Sequence, residues 1–206
     1  MRVDHDRRRG ELAEAVWRLV LRAGVPAASV RAVANEAGLS MGSVRHFFNT
    51  QDELLQFAMG EVVNRARARV AAKADRRQAA VRAGRPLDGV AALLEEVLPL
   101  DDERCVEARI WAAFSAAAST DPGMHRLRRE ADDAVRGLCR TALQTMAELG
   151  LLDLDHDRAD LALETHRLWA LLDGLTVHLL VEPAYISPRQ ARRVLRRHLS
   201  ALAARA

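Results

Sequence analysis

Apolar residues recur at helical spacing along almost the whole chain, and no segment shows the strict alternation that marks a half-buried strand. Alanine, leucine, arginine and glutamate, all strong helix formers, dominate the composition, and aromatic residues make up only 4% of it. Asp88-Gly89 and Asp173-Gly174 lie inside helical periodicity, so neither dipeptide indicates a hairpin. The sequence therefore predicts an all-α fold of about nine helices.

Three helices are predicted at the start of the chain, the second and third of them short, and small residues fix the turns between them. Gly24 ends the first helix and Gly38 ends the second, each as a C′ glycine, while Ser29 and Ser40 are the N-caps of the second and third. The predicted bounds are 4–23, 30–37 and 41–47. Two short helices separated by Gly38-Leu39 and packed on a longer first helix match a helix-turn-helix.

The rest of the chain is divided by a capping box and by prolines and glycines. Thr50-Gln51-Asp52-Glu53 opens the fourth helix, and Glu53 is expected to bond the Thr50 amide. The helices predicted after it lie near 87–98, 102–119, 123–149, 157–182 and 188–204.

The outward face of the third helix has a composition suited to DNA. From Leu39 to Gln51 the sequence contains no acid, and Arg45 and His46 supply positive or polar groups. Arg45 can offer a bidentate fork to a guanine edge. The alternative is a helical bundle that binds a partner without reading DNA, but such a bundle has no need for a small, polar, acid-free face.

The segment from Ser29 to Ser43, followed by Phe48 and Glu53-Leu54-Leu55, resembles the N-terminal domain of TetR-family transcriptional regulators. The resemblance implies a helix-turn-helix DNA-binding domain at 1–50 and a helical bundle for ligand binding and dimerisation at 51–206. It also implies a ligand-responsive homodimeric repressor whose partners are a palindromic operator in double-stranded DNA and a small-molecule effector.

The resemblance places the DNA contacts on the helix-turn-helix and on the start of the fourth helix. The expected DNA-binding residues are Ser29, Arg31, Ser40, Met41, Gly42, Ser43, Arg45, His46, Thr50 and Gln51. Arg45 stands where many members of the family have tyrosine, and Gln51 stands where many have lysine. Gln51 keeps a hydrogen-bond donor but lacks the charge. Arg7, Arg8 and Arg9 are expected either to follow a phosphate backbone or a minor groove, or to form a mobile, solvated N-terminus.

Leucine stripes on the last two helices indicate an oligomer interface, because a helix that is apolar on more than one stripe is buried on more than one side. In the family, the corresponding helices of two subunits form a four-helix bundle. The expected interface residues are Leu168, Leu172, Leu175, Leu179, Val194, Leu195, Leu199 and Leu202.

A ligand pocket is expected inside the C-terminal helices, with an acidic residue that favours a neutral or cationic ligand. Its candidate residues are Phe57, Trp111, Phe114, Cys139, Met146, His166, Trp169, Asp173 and Thr176. The spacing alone leaves open whether the face with His166 and Asp173 lines this pocket or the dimer interface.

Other function classes find no support in the sequence. It contains no catalytic, metal-binding or cofactor-binding motif, so neither an enzyme nor a cofactor is expected. Cys105 and Cys139 belong to no C-x-x-C pair and suit a reducing compartment. The longest apolar run, 168–181, is interrupted by Asp173 and is too short for a bilayer, so a cytoplasmic protein without a membrane partner is expected.

Overall fold

A computed structural model describes residues 2–73, 80, 82–118, 121–152 and 158–203. Within those ranges the protein is helical and contains no strand, so the all-α prediction is confirmed. The helices are α1 (Arg2–Ala23), α2 (Val30–Glu36), α3 (Met41–Phe47), α4 (Gln51–Ala72), α5 (Pro86–Leu94), α6 (Asp102–Ala117), α7 (Pro122–Glu148), α8 (Arg158–Val181) and α9 (Pro188–Ala203). Short 3₁₀ turns at Val25–Ala27 and Glu95–Val97 complete the described chain.

The capping residues identified in the sequence end and start the helices as expected. Gly24 and Gly38 have φ angles of 78° and 67°, a left-handed conformation that glycine adopts without steric cost. Ser29 Oγ accepts a hydrogen bond from the Ala32 amide, and Ser40 Oγ accepts one from the Ser43 amide. Helix boundaries therefore agree with the sequence-based bounds to within a few residues.

One capping contact differs from its prediction. The Glu53 amide donates to Thr50 Oγ1 at 3.1 Å, as a capping box requires, but Glu53 Oε2 accepts from the Asn49 amide at 2.7 Å. The expectation that Glu53 bonds the Thr50 amide was wrong by one residue. Because Glu53 reaches one residue further back, it also fixes the chain where it leaves α3.

The described helices pack into two compact units, and α4, α6 and α7 each contribute to both. The first unit comprises Met1–Arg65 and Arg109–Ala131, and the second comprises Ala66–Ala108 and Asp132–Ala206. These units are defined by packing alone. The division into a DNA-binding domain at 1–50 and a ligand-binding and dimerisation domain at 51–206 is defined by function and stays a prediction.

The core of the first unit joins α1 to the helix-turn-helix and to α4. Fully buried apolar residues include Leu12 and Val16 of α1, Val33 of α2, Val44 of α3 and Leu54 of α4. The buried indole of Trp17 donates its Nε1 hydrogen to the Ala58 carbonyl at 2.9 Å, which locks α1 onto α4. The indole proton thus finds a partner inside the core, as a buried tryptophan requires.

The core of the second unit is built mainly from leucines, and a buried ionic network lies beside it. Arg69 of α4 holds Glu107 of α6 through two hydrogen bonds of 3.0 and 2.6 Å. Glu96 lies 3.1 Å from Lys73 and 3.5 Å from Arg104. The carboxylates of Glu96 and Glu107 are almost fully buried, so each depends on these cations. Burial lowers the pKa of Arg69, but the hydrogen bonds to Glu107 and the nearby charges of Glu107, Glu96 and Glu103 together raise it above its usual value.

This network predicts a large effect of a small substitution. Glu107→Gln should lower the free energy of unfolding by about 2 kcal/mol, because it leaves the half-buried Arg69 guanidinium without its bidentate carboxylate. Glu14→Gln removes an exposed partner of Arg65 at 3.1 Å and should cost less than about 0.5 kcal/mol. Urea unfolding followed by circular dichroism measures both, and equal shifts for the two variants would contradict the assignment.

Candidate nucleic-acid interface and effector site

The turn between α2 and α3 is held by local backbone bonds and by two arginines of α1. The Leu39 amide bonds the Ala34 carbonyl at 2.9 Å across the left-handed Gly38. Arg18 and Arg22 each bond Glu36, the last residue of α2, at 2.8 Å. The hydrogen bond from Arg22 and then that from Arg18 hold the pKa of Glu36 below its usual value. Helix α1 therefore fixes the position of α2 through charge as well as through apolar packing.

Helix α3 buries one residue and exposes the face that the sequence marked for DNA. Val44 is fully buried and Phe48 nearly so, whereas Met41 is 43% exposed. Arg45 and His46 are also exposed, on the last turn of the helix.

The ten expected DNA-binding residues are all at least partly accessible. Those exposed are Arg31, Ser40, Met41, Gly42, Arg45, His46 and Thr50, and those half-buried are Ser29, Ser43 and Gln51. Four of them, Ser40, Gly42, Ser43 and His46, line one open cleft of ≈ 530 Å³ together with Arg8, Leu39 and Phe47.

The arginine run near the N-terminus lies inside α1, as the predicted bounds of 4–23 for the first helix imply. Arg7 and Arg8 bond Glu11 at 2.5 and 3.0 Å. Arg9 points inward instead, with its guanidinium 5.1 Å from the ring centroid of Phe48 and 4.3 Å from that of Phe57. The three neighbouring arginines therefore have different surroundings, which sequence composition could not distinguish.

The candidate ligand-pocket residues fall into two groups, one in each packing unit. Phe114 is buried in the first unit, with Phe57 and Trp111 packed against the same core. Cys139 and Met146 are buried in the second unit, with Trp169 packed against the same core. His166 and Asp173 are exposed on α8, and Thr176 is half-buried. Which of these residues contact an effector stays a prediction.

The charge of Asp173 influences the interior of the second unit. Burial raises the pKa of the Cys139 thiol to about 12, and the charge of Asp173 contributes to that increase. The His166 and Trp169 rings lie 6.4 Å apart between centroids on the same helix. Asp173 and this ring pair therefore provide a negative charge and aromatic surface within one unit.

Most of the expected dimer residues are already buried within a single chain. Leu168, Leu172, Leu175, Leu179, Leu195, Leu199 and Leu202 are each at most 6% exposed and belong to the core of the second unit. Val194, at 41% exposed, is the exception. The sequence reasoning selected leucine stripes, and in this fold those stripes stabilise the chain's own core.

A second apolar stripe lies on the side of α8 opposite the buried leucines, and it was not identified from the sequence. Leu163, Val177 and Val181 are 57%, 55% and 74% exposed, and Tyr185 beyond the helix is 79% exposed. The signal was present in the helical spacing of these residues, but valine and alanine give a weaker apolar pattern than a run of leucines does.

Neither a membrane span nor a metal cluster occurs among the described residues. No helix within those ranges has the length and apolar character needed to span a bilayer. No group of three or more histidine, cysteine, aspartate or glutamate side chains in the same ranges could hold a metal ion.

Sequence comparisons match the chain to transcriptional regulators over nearly its whole length. A TetR C-terminal family model, described as BetI-type transcriptional repressor, C-terminal, matches residues 86–204. The HTH-type transcriptional regulator PksA of Bacillus subtilis strain 168 is 36% identical over 201 residues, which cover 97% of this chain and 92% of PksA. BetI of Stenotrophomonas maltophilia strain R551-3 is 28% identical over 188 residues, 91% of this chain and 88% of BetI.

Solved structures show the same architecture. A transcriptional regulator from Rhodococcus sp. Rha1 superposes with a TM-score of 0.76 at 29% identity, covering 94% of this chain and 95% of its own. A regulator from Saccharomonospora viridis, crystallised with choline, superposes with a TM-score of 0.72 at 22% identity, covering 93% and 94%. The similarity to the Saccharomonospora viridis regulator shows a shared fold alone.

Proposed function

Because the chain belongs to the TetR family of transcriptional regulators and is a DNA-binding regulator, we propose that it acts as a ligand-responsive dimeric repressor. In this proposal residues 1–50 bind a palindromic operator, and residues 51–206 dimerise and bind a small molecule whose presence lowers operator affinity. The observation that carries it is the accessible, acid-free face of α3, positioned by the buried Val44 and by the α1–α2 ion pairs.

The accessible residues support different contacts with DNA. The exposed Arg45 can form the bidentate contact to a guanine in the major groove, where each base pair has a distinct pattern of donors and acceptors. Arg31 is exposed near the start of α2 and suits a phosphate, as do the Thr50 hydroxyl and the Gln51 amide at the start of α4. Small residues at Gly42 and Ser43 allow the α3 backbone to approach the groove closely.

The missed stripe on α8 suits a second copy of the chain. Leu163, Ala170, Gly174, Val177 and Val181 recur at intervals that bring them to one side of the helix, opposite the buried leucines. A Cβ atom at Gly174 would meet nothing within 4 Å, so the middle of the stripe is open to a partner helix. Exposed apolar residues bordered by small ones favour close helix–helix packing, and a dimer places two α3 helices on one palindrome.

The second unit offers a setting for a neutral or cationic effector. Asp173 provides the negative charge, and Trp169 and His166 provide rings on the same helix. Aromatic faces together with a carboxylate favour an organic cation through cation–π and ionic attraction. Asp173 lies next to Ala170, Gly174 and Val177 on α8, so an effector bound at Asp173 would influence how a partner subunit packs on that stripe.

We expect Arg45→Ala to weaken operator binding by about 1–3 kcal/mol and to relax discrimination at one base pair in each half-site. Arg31→Ala should weaken binding to all sequences and flatten the dependence on salt. Selection from a random DNA library identifies the operator, and fluorescence anisotropy then measures both variants. Arg193→Ala, which removes an exposed arginine of α9, is the control; if Arg45→Ala binds like that control, α3 does not read the base pairs.

Val177→Glu and Val181→Glu should each convert the dimer to a folded monomer, because a carboxylate in an apolar interface loses its hydration. Sedimentation equilibrium gives the mass in solution. Val106→Glu, at a valine 43% exposed on α6 and outside the stripe, should remain dimeric. Dimeric Val177→Glu and Val181→Glu proteins would show that another surface joins the subunits.

Trp169→Ala and Asp173→Asn should keep operator affinity and lose release by an effector. Choline, as a cationic probe, and a carboxylate of similar size are titrated against the protein–operator complex. We expect the cation to release wild-type protein at lower concentration than the acid does, and Asp173→Asn to remove that preference. If Asp173→Asn responds to both compounds as the wild type does, the effector site lies elsewhere.

A further inference from the structure

We propose that Arg8 of α1, together with the hydroxyls of Ser40 and Ser43, binds one phosphate of the DNA backbone in the cleft beside α3. The proposal builds on the DNA-binding function and adds a contact from outside the helix-turn-helix. Sequence reasoning treated Arg7, Arg8 and Arg9 as equivalent, and the structure distinguishes Arg8 from the other two.

Arg8 is the member of the run that lines the cleft. Its side chain is 37% exposed, and it faces residues of the α2–α3 turn and of α3 across an opening of ≈ 530 Å³. Arg9 lies over the rings of Phe48 and Phe57 and is not among the residues that form the cleft. Arg7 shares Glu11 with Arg8 but is not among the residues that form the cleft.

Aromatic contacts fix the start of α1 against α3 and so hold Arg8 in place. The His5 ring lies 4.7 Å from the Phe47 ring between centroids, and His46 meets the same ring edge-on at 5.4 Å. His5 and Arg8 are three residues apart in one helix and therefore share a face. Contact of His5 with Phe47 consequently brings Arg8 beside the α3 residues that are expected to enter the groove.

The donors around the cleft match a phosphate. Arg8 uses one nitrogen for Glu11 at 3.0 Å, and its guanidinium carries five N–H donors, so others are available to an anion. Ser40 Oγ and Ser43 Oγ lie 2.9 Å apart and form one hydrogen bond, in which one hydroxyl donates and the other accepts. The proton of the accepting hydroxyl is left for another acceptor. His46 also borders the opening, and the described residues that line it include no carboxylate.

The polar groups around the cleft determine which kind of anion it binds. An opening with a guanidinium at one side and hydroxyl and imidazole groups at the other favours an anion with several oxygens. In a chain that binds DNA through α3, the anion that approaches this face in every complex is a backbone phosphate. A phosphate there would compete with Glu11 for Arg8 and would fix the distance of α3 from the duplex.

The test compares variants on the selected operator and on a duplex of unrelated sequence over about 50 to 200 mM salt. Arg8→Ala should lower affinity for both duplexes by about tenfold. It should also reduce the slope of log affinity against log salt by about one for each phosphate that the variant no longer neutralises. Arg8→Lys should keep most of the slope, because it keeps the charge.

Arg7→Ala is the matched control, since Arg7 has the same Glu11 partner and the same charge. It should leave the salt slope unchanged. Glu11→Gln should raise affinity several-fold, because it removes the carboxylate that competes with the phosphate; this gain cannot result from a folding defect. Equal reductions in affinity for Arg7→Ala and Arg8→Ala would indicate general charge attraction and would overturn the site.

Single operator phosphates replaced by uncharged methylphosphonates identify the phosphate that Arg8 binds. One replacement in each half-site should weaken binding of the wild-type protein and have no further effect on Arg8→Ala. If every replacement weakens both proteins equally, Arg8 binds no backbone phosphate and the proposal is wrong. Failure of wild-type protein to bind the selected duplex would instead contradict the function on which the proposal rests.

Discussion

The left-handed turn at Gly38 decides which side of α3 faces solvent, and the DNA contacts proposed for α3 depend on it. Gly38 has a φ of 67°, and the Leu39 amide that follows it bonds the Ala34 carbonyl of α2. A residue with a Cβ atom is strained in this conformation, so the turn depends on glycine. The turn directs Val44 into the core, and the opposite side of α3 therefore faces solvent. Each DNA contact proposed for α3 depends on this orientation.

Helix α1 supports that orientation by two kinds of interaction at its two ends. Near its C-terminal end, Arg18 and Arg22 bond Glu36 at the end of α2. Near its N-terminal end, His5 packs on Phe47 of α3. The ion pairs with Glu36 are exposed, and each is individually weak. They add to an apolar core that already holds α2 and α3 against α1. Helix α1 is thus both a support for the helix-turn-helix and, through Arg8, a candidate part of its binding surface.

In the second unit, the burial of leucines decides which surfaces remain for a partner. The leucines of α8 and α9 fill the space between helices of one chain, so they are removed from water before any subunit arrives. On the opposite side of α8, Leu163, Val177 and Val181 remain exposed. In the proposed dimer, core packing and dimerisation therefore use different sides of the same helix, as expected for a helix that is apolar on more than one stripe.

Local signals account for what could be predicted, and contacts between distant residues account for what could not. Helix ends were predictable because caps such as Ser29, Ser40 and Gly24 act on backbone groups within four residues. The bidentate pair of Arg69 and Glu107 was not predictable, because it joins residues 38 positions apart. Even the local capping partner of Glu53 shifted by one residue, since the Asn49 amide lay closer to its carboxylate.

The sequence by itself determined the helical class, the order and approximate bounds of the helices, and the acid-free face of α3, because periodicity and capping are properties of neighbouring residues. The tertiary structure alone decided how three adjacent arginines differ. Arg9 lies on aromatic rings, Arg7 and Arg8 share Glu11, and Arg8 borders the cleft. It also decided which apolar stripe of α8 belongs to the core and which faces solvent. A side chain's neighbours depend on which helices pack against it, and that packing brings together residues far apart in the sequence.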